Sequence, residues 1–312
     1  MNRLSIGVDI GGTNTVGGIV DEEGNILAEF SFSTKAYPVL NEYLDVLSEH
    51  VNTLKNKAEN PAEIVGLGVG APNGNFFNGT IEFAPNLPWQ GIIKLGEELR
   101  ARTQLKVIVT NDANAAAIGE MKYGVARDMN DFILITLGTG LGSGIVTGGK
   151  LLYGHDGFAG ELGHTIVDYD GRICGCGRKG CLETYASATG IVQTMKELMM
   201  TSEQNVNSGY STMTSKDITT EAIKGNLMAI KAFDITALIL GRKLADAVAF
   251  SSPEAIILFG GLANSGDLLL IPLIQYFENS LLQIYKNKVR ILLSGLPENS
   301  AAILGAAALP LE

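Results

Sequence analysis

The sequence predicts an α/β chain built from two related halves. Three observations carry that expectation. Strand-like and helix-like periodicities alternate along the chain. The pattern Gly12-Thr13-(four residues)-Gly18-Ile19-Val20 recurs 126 residues later as Gly138-Thr139-(four residues)-Gly144-Ile145-Val146. Each copy follows an apolar strand and is followed by a turn and another short strand. A chain with 38 glycines also makes unrelated Gly-rich hairpins, but the shared flanks favour one hairpin unit used twice. Finally, 312 residues suit two domains at roughly 100–200 residues each.

The elements follow in order. Leu4–Asp9 reads as a strand that enters the stretch Gly11-Gly12-Thr13-Asn14. Asp21–Gly24 is a turn, and Ile26–Ser33 completes a meander. Between Val39 and Lys57, apolar residues at 40, 43, 44, 47, 51 and 54 keep helical spacing. Ile64–Val69 and Lys106–Thr110 read as buried strands, with a helix over Ile93–Thr103 between them. An Ala-rich helix opens at Asp112, and a second β-rich region starts at Phe132. Thr201–Thr220 is polar and rich in Ser, Thr and Asn, so it is expected to be a mobile excursion. A long helix over Leu227–Phe250, a short strand over Ile256–Phe259 and a small-residue helix over Ser300–Leu309 close the series.

Composition narrows the function. With 46% hydrophobic and 18% charged residues the chain is globular. A net charge of −10 disfavours nucleic acid and anionic membranes as partners, so any phosphate must be held by local groups. The first residues lack a secretory pattern, and no uncharged apolar run reaches membrane-spanning length, so a cytoplasmic protein is expected. Three cysteines cannot all pair within one chain.

Those cysteines form the strongest motif, His164-x9-Cys174-x-Cys176-x4-Cys181, which uses every Cys in the chain. Three thiolates and an imidazole make a closed tetrahedral Zn²⁺ set with no open position, so the ion would be structural. Gly175, Gly177 and Gly180 would let the short loop wrap around it. Such a loop would also fix Glu161 and Glu183, whose carboxylates accept hydrogen bonds from sugar hydroxyls well. His164 could give one nitrogen to the metal and keep the other for a ligand.

At Asp9-Ile10-Gly11-Gly12-Thr13-Asn14, glycines let backbone N–H groups approach a phosphate, and an Asp at a strand end can hold Mg²⁺. An Asp-stabilised hairpin would look the same. Asn111-Asp112-Ala113-Asn114 lies where a strand meets a helix, and Asp112 has two readings there: helix N-cap, or a carboxylate that accepts a hydroxyl proton. The P-loop pattern is absent. Gly138-Thr139-Gly140-Leu141-Gly142-Ser143 departs from the dinucleotide fingerprint at its last position and runs into a strand, which disfavours a Rossmann dehydrogenase.

Taken together, Asp9-Ile-Gly-Gly-Thr, Asn111-Asp112-Ala-Asn114-Ala, Leu137-Gly-Thr-Gly-Leu-Gly-Ser-Gly144, Gly160-Glu161-Leu-Gly-His164 and Cys174-Gly-Cys-Gly-Arg-Lys-Gly-Cys181-Leu-Glu183 resemble the ROK family of sugar kinases and repressors. The similarity runs from about residue 4 to residue 309, and within the family it is greatest to bacterial ATP-dependent glucokinases. It implies an actin/hexokinase-like (ribonuclease H-like) duplicated two-domain fold with a central cleft. The domains expected are residues 1–111 plus 298–312, and residues 112–297 with the zinc loop.

The resemblance further implies ATP, Mg²⁺ and structural Zn²⁺. Asp112 would be the general base for the 6-hydroxyl of a hexose. Asn86, Asn111, Glu161, His164 and Glu183 would bind the sugar with it. Asp9, Gly11, Gly12, Thr13, Asn14, Gly138, Thr139, Gly140, Gly260 and Gly261 would face ATP–Mg²⁺. His164, Cys174, Cys176 and Cys181 would hold zinc. The expected partners are a hexose and ATP, without nucleic acid or membrane, in a homodimer or homotetramer. Family repressors carry a DNA-binding segment before the kinase-like part, and Asp9 leaves no room for one here, so a kinase is expected. Glucose is the expected sugar. N-acetylglucosamine, N-acetylmannosamine, fructose or allose, and a non-catalytic sugar sensor, are the alternatives. The usual family turn Gly-x-Pro-Gly is replaced by Gly70-Ala71-Pro72-Asn73, where Asn tolerates the left-handed backbone.

Overall fold

The computed structural model describes residues 3–58, 60, 63–201, 212–297 and 300–311. They form two compact units. Unit 1 comprises Met1–Asn130, Gly144–Gly160 and Ser294–Glu312, and unit 2 comprises Asp131–Ser143 and Glu161–Leu293. The boundary expected after Asn111 falls within unit 1, because the Ala-rich helix packs with first-unit elements. The expected second boundary, at residue 298, lies outside the described residues.

Unit 1 opens with the meander β1 (Leu4–Ile10), β2 (Asn14–Val20) and β3 (Ile26–Ser33), followed by helix α1 (Leu40–Lys57). Helix α1 buries the predicted stripe of Tyr43, Leu44, Leu47, Val51 and Leu54 against Ile6, Val8 and Leu67 in one core. Strand β4 (Ile64–Gly70) leads to a small antiparallel sheet of β5 (Gly74–Asn75), β6 (Thr80–Glu82) and β7 (Ile92–Ile93). Ile93, expected to start a helix, pairs instead with Ile81 in that sheet, and α2 begins later (Leu95–Thr103). Strand β8 (Val107–Thr110) and helix α3 (Asp112–Tyr123) follow. The main sheet runs β3-β2-β1-β4-β8, antiparallel through the meander and parallel from β1 to β8.

In unit 2, β9 (Phe132–Leu137) is flanked by β10 (Leu141–Thr147) and, in parallel, by a later strand. After Ser143, β10 continues in unit 1, where it pairs with β11 (Lys150–Leu151). Helices α4 (Ala188–Thr201), α5 (Ser215–Ile223) and α6 (Leu227–Ser251) precede β12 (Ala255–Phe259). Helix α7 (Asp267–Ser280) and β13 (Arg290–Leu293) follow, with β12 parallel to both β9 and β13. The arrangement around β9 thus repeats that around β1: a hairpin partner on one side, two parallel strands on the other.

The polar excursion expected over Thr201–Thr220 is corrected in part. Residues 215–223 form α5, because Thr214 and Asp217 make a capping box that starts a helix in a polar stretch. Residues 202–211 of that expectation lie outside the described residues. Helices α4 and α7 and strand β13 had no sequence expectation. Helix α7 carries an internal Pro272 and packs along α6 at Gly241, where a Cβ would lie 2.9 Å from the Phe277 backbone nitrogen.

The chain then returns to unit 1 as α8 (Ala301–Ala308), which packs on β1, β4 and α3. Its small residues lie so close to the sheet that a Cβ on Gly68 would collide with the Ala306 carbonyl and one on Gly7 would lie 2.5 Å from the Ala307 nitrogen. Among the described residues, no helix is long and apolar enough to cross a membrane.

Candidate active site

In unit 1 the parallel strands bring carboxylates together. Asp9 pairs with Gly70, and Gly70 with Thr110, so β1, β4 and β8 end side by side just before α3 begins. A Cβ on Gly70 would lie 3.4 Å from Asp9 Oδ1 and 3.6 Å from the Asp112 Cα, so Gly70 occupies the space between the two acids. In the sequence, Gly70 is marked only by its place at the head of the Gly-x-Pro turn. That turn holds with Asn73 in the left-handed region (φ 52°), its Nδ2 donating to the Glu82 carbonyl at 2.9 Å.

The two readings of Asp112 separate here. Asn111 is the N-cap, its Oδ1 accepting the Ala113 N–H at 2.9 Å. Asp112 is the first helical residue, and its Oδ1 accepts the same N–H at 2.8 Å, leaving Oδ2 for another partner. Asp112 is solvent-accessible, yet enough protein surrounds it that burial raises its pKa, against the lowering effect of backbone N–H groups. Asp9 is raised to about 7, first by burial and second by the charge of Asp112. Two acids pushed up in this way favour a cation beside them.

The glycine turn is built next to Asp9. The Gly11 N–H donates to the Asn14 carbonyl at 2.9 Å, and the Thr13 carbonyl accepts from Thr34 N–H at 2.9 Å. Beneath it, the buried Thr15 hydroxyl bonds to Tyr43 at 2.7 Å and to Thr34 at 2.9 Å. A Cβ on Gly12 would lie 2.6 Å from the Asn86 carbonyl, so Asn86 sits against this turn. Thr13, Asn14 and Asn86 are exposed.

In unit 2 the matching turn, Gly138-Thr139-Gly140, is clamped through its carbonyls. Gly138 accepts from Ala188 N–H at 2.8 Å, and Thr139 accepts from the Thr189 hydroxyl at 2.7 Å. Ala188 and Thr189 begin α4. Gly260, at φ 106°, packs against the Leu137 carbonyl, so it lies beside the turn. A Cβ on Gly140 would lie 2.6 Å from Glu183 Oε2, which brings the Gly138–Gly140 turn and Glu183 together.

His164, Cys174, Cys176 and Cys181 present four ligand atoms all within 4.8 Å of one another. His164 Nδ1 is 3.6 Å from Cys174 Sγ, and Cys176 Sγ is 3.6 Å from Cys181 Sγ. His164 Nε2 points the other way, 4.0 Å from Glu161 Oε2. Glu183 Oε1 accepts from the Cys174 thiol at 2.9 Å and lies 3.7 Å from His164 Nδ1. Gly177 (φ 87°) and Gly180 (φ 70°) shape the loop, and a Cβ on Gly180 would collide with the Asp168 carbonyl. Burial acts against ionisation of Cys176, but the Arg178 N–H and guanidinium and the two other thiols outweigh it and lower Cys176 to about 6. Burial pushes Cys174 and Cys181 up, so one thiol ionises readily and the others await a cation.

The ROK family pattern matches residues 5–312. A glucokinase of Streptomyces coelicolor is 38% identical over 99% of this chain and 98% of its own length. A glucokinase of Thermotoga maritima is 33% identical over 97% of this chain and 96% of its own. Among solved structures, a ROK family glucokinase from Streptomyces griseus in complex with glucose and AMPPNP superposes with a TM-score of 0.83, at 36% identity, over 98% of both chains.

Proposed function

The chain belongs to the ROK family, and from that premise we propose that it is an ATP-dependent glucokinase that phosphorylates the 6-hydroxyl of glucose. The observation that carries the mechanism is Asp112, a solvent-accessible carboxylate with a raised pKa that shares the Ala113 N–H with the N-cap Asn111 through Oδ1 and keeps Oδ2 for a ligand. Its ionised Oδ2 accepts the hydroxyl proton as the sugar oxygen bonds to the γ-phosphorus of ATP and the bond from that phosphorus to the β,γ-bridging oxygen breaks, releasing ADP. Phosphoryl transfer has a loose transition state, so the base chiefly orients the hydroxyl and takes the proton late. Asn111 offers its Nδ2 to a neighbouring hydroxyl. Glu161, His164, Glu183 and Asn86 hold others.

On the nucleotide side, Asp9 would position Mg²⁺, which neutralises charge on the transferring phosphoryl group. Backbone N–H groups of Gly12, Thr13 and Gly138–Gly140, with Asn14, face the phosphates, the Gly11 N–H closing its turn through the Asn14 carbonyl, and Gly260-Gly261 lies near the adenosine. We take the chain to share the duplicated actin/hexokinase-like fold, with the bound sugar and ATP shielded from water, which would otherwise accept the phosphoryl group.

Zn²⁺ suits the four-ligand cluster. Bonds of roughly 2.3 Å to sulfur and 2.0–2.1 Å to imidazole nitrogen give tetrahedral edges of roughly 3.5–3.8 Å, and the 3.6 Å separations fit. With four protein ligands the ion would be structural, leaving His164 Nε2 and Glu183 to the sugar.

A coupled ADP-release assay over glucose, N-acetylglucosamine, N-acetylmannosamine, fructose and allose tests the reading. Glucose should give the highest kcat/KM. Preference for another sugar would move the assignment within the family, and sugar binding by calorimetry with no ADP release would turn it into a sensor. Light scattering reads the expected homodimer or homotetramer.

A further inference from the structure

Arg172 lies just before the metal-binding cysteines, and no part of the mechanism above uses it. Its side chain is only 12% exposed, and every guanidinium N–H is engaged. Nε and Nη2 form a fork with Glu197 on α4, at 3.0 and 2.6 Å. Nη2 also donates to the Thr194 hydroxyl at 2.9 Å, while Nη1 donates to the carbonyls of Thr184 at 2.5 Å and Gly190 at 3.1 Å. The guanidinium lies 4.3 Å from the centre of the Tyr185 ring, whose hydroxyl accepts the backbone N–H of Arg172 itself at 3.1 Å.

Two of those partners adjoin site residues. Thr184 follows Glu183, the proposed sugar carboxylate. Gly190 follows Thr189, whose hydroxyl holds the Thr139 carbonyl of the phosphate-facing turn. Resting on the glucokinase reading above, we propose that Arg172 is a positioning residue: one guanidinium ties the metal loop to both the Glu183 turn and the start of α4, so that sugar and nucleotide contacts are set together. A planar five-donor fork suits this task, and Lys, with a single ammonium, cannot reproduce it.

The test compares wild type with Arg172→Gln, Arg172→Lys and Glu197→Gln, each checked for metal content. With metal retained, Arg172→Gln should bind glucose about tenfold or more weakly by calorimetry, as loss of hydrogen bonds to a charged group commonly does. KM for glucose and for ATP should both rise, by a larger factor than kcat falls. Arg172→Lys should recover only part of the affinity. Amide hydrogen exchange at Ala188, which donates to Gly138, should quicken in Arg172→Gln whichever sugar is the substrate. Unchanged glucose affinity and unchanged exchange in a metal-loaded variant would overturn the proposal, as would an effect explained wholly by lost metal. If Arg172→Gln does not fold, Glu197→Gln decides: a smaller shift in the same direction supports the proposal, and none refutes it. A wild type that phosphorylates no sugar would overturn the glucokinase reading, while the exchange experiment still judges the clamp.

Discussion

At the scale of single residues, the pair Asp9 and Asp112 makes two sharp predictions. Asp112→Asn should keep the fold and glucose binding while turnover falls by about 10²–10⁴, the usual share of a general base; turnover at the wild-type rate would remove Asp112 from that role. Because Asp112 acts ionised and burial raises its pKa, wild-type kcat should fall on acidification earlier than an ordinary carboxylate would dictate. Asp9 adds a stability test. With its folded pKa near 7 against 3.8, the native state holds the extra proton between those values, so stability falls as pH rises through that window. In metal-free protein, Asp9→Asn should therefore raise Tm at pH 8 by about 3 °C or more, since 1 kcal/mol moves a domain of this size by roughly 2–4 °C. At pH 5 the gain should be smaller, and near pH 3, where Asp9 is protonated in both the folded and the unfolded chain, it should nearly vanish. Much of this chemistry was legible in the sequence as residue types at motif spacing. Which of Asn111 and Asp112 caps α3 was not, because both are good capping residues and only the backbone decides. Gly70 was equally hidden, since its role is to leave room between two acids that are distant in sequence.

At the scale of elements, the metal loop is the sharpest unit. Cys176→Ser removes the thiol with the lowest pKa, and metal content should drop well below that of wild type by mass spectrometry. The glucose KM should rise about tenfold as the loop that carries Glu161, His164 and Glu183 loses the ion that pins it. Purified wild type without zinc would contradict the assignment at once. The loop was readable because four ligands crowd eighteen residues, a pattern that chance rarely makes. Other elements were less so. Helix α5 is too polar to show a stripe and is announced only by its Thr214–Asp217 box, while α7 hides behind Pro272. Ile93 is apolar and abuts a true helix, so periodicity alone extended that helix backwards into β7.

At the scale of the whole molecule, ligand binding should stabilise the chain by mass action. Glucose at a hundredfold excess over its Kd adds about 2.7 kcal/mol, and thermal unfolding should shift upward with glucose but not with a sugar the enzyme rejects. An unmoved transition would mean that glucose does not bind the native state. The repeat at 126 residues marked one hairpin unit used twice, because the tight glycine turn of each hairpin is written locally; that the sheets around the two copies share an arrangement was not written there. How the chain divides was not foretold. It passes between the units after Asn130, Ser143, Gly160 and Leu293, and such crossings depend on contacts between segments that are far apart in sequence.

The route of the chain also sets an order of assembly during synthesis. Helix α8 follows all of unit 2, so the ribosome delivers the cover for β1 and β4 only after the second sheet has emerged. Until then, the glycine-lined face of the first sheet at Gly7 and Gly68 lacks the helix that packs on it, and the strand backbone there stays uncovered on the nascent chain.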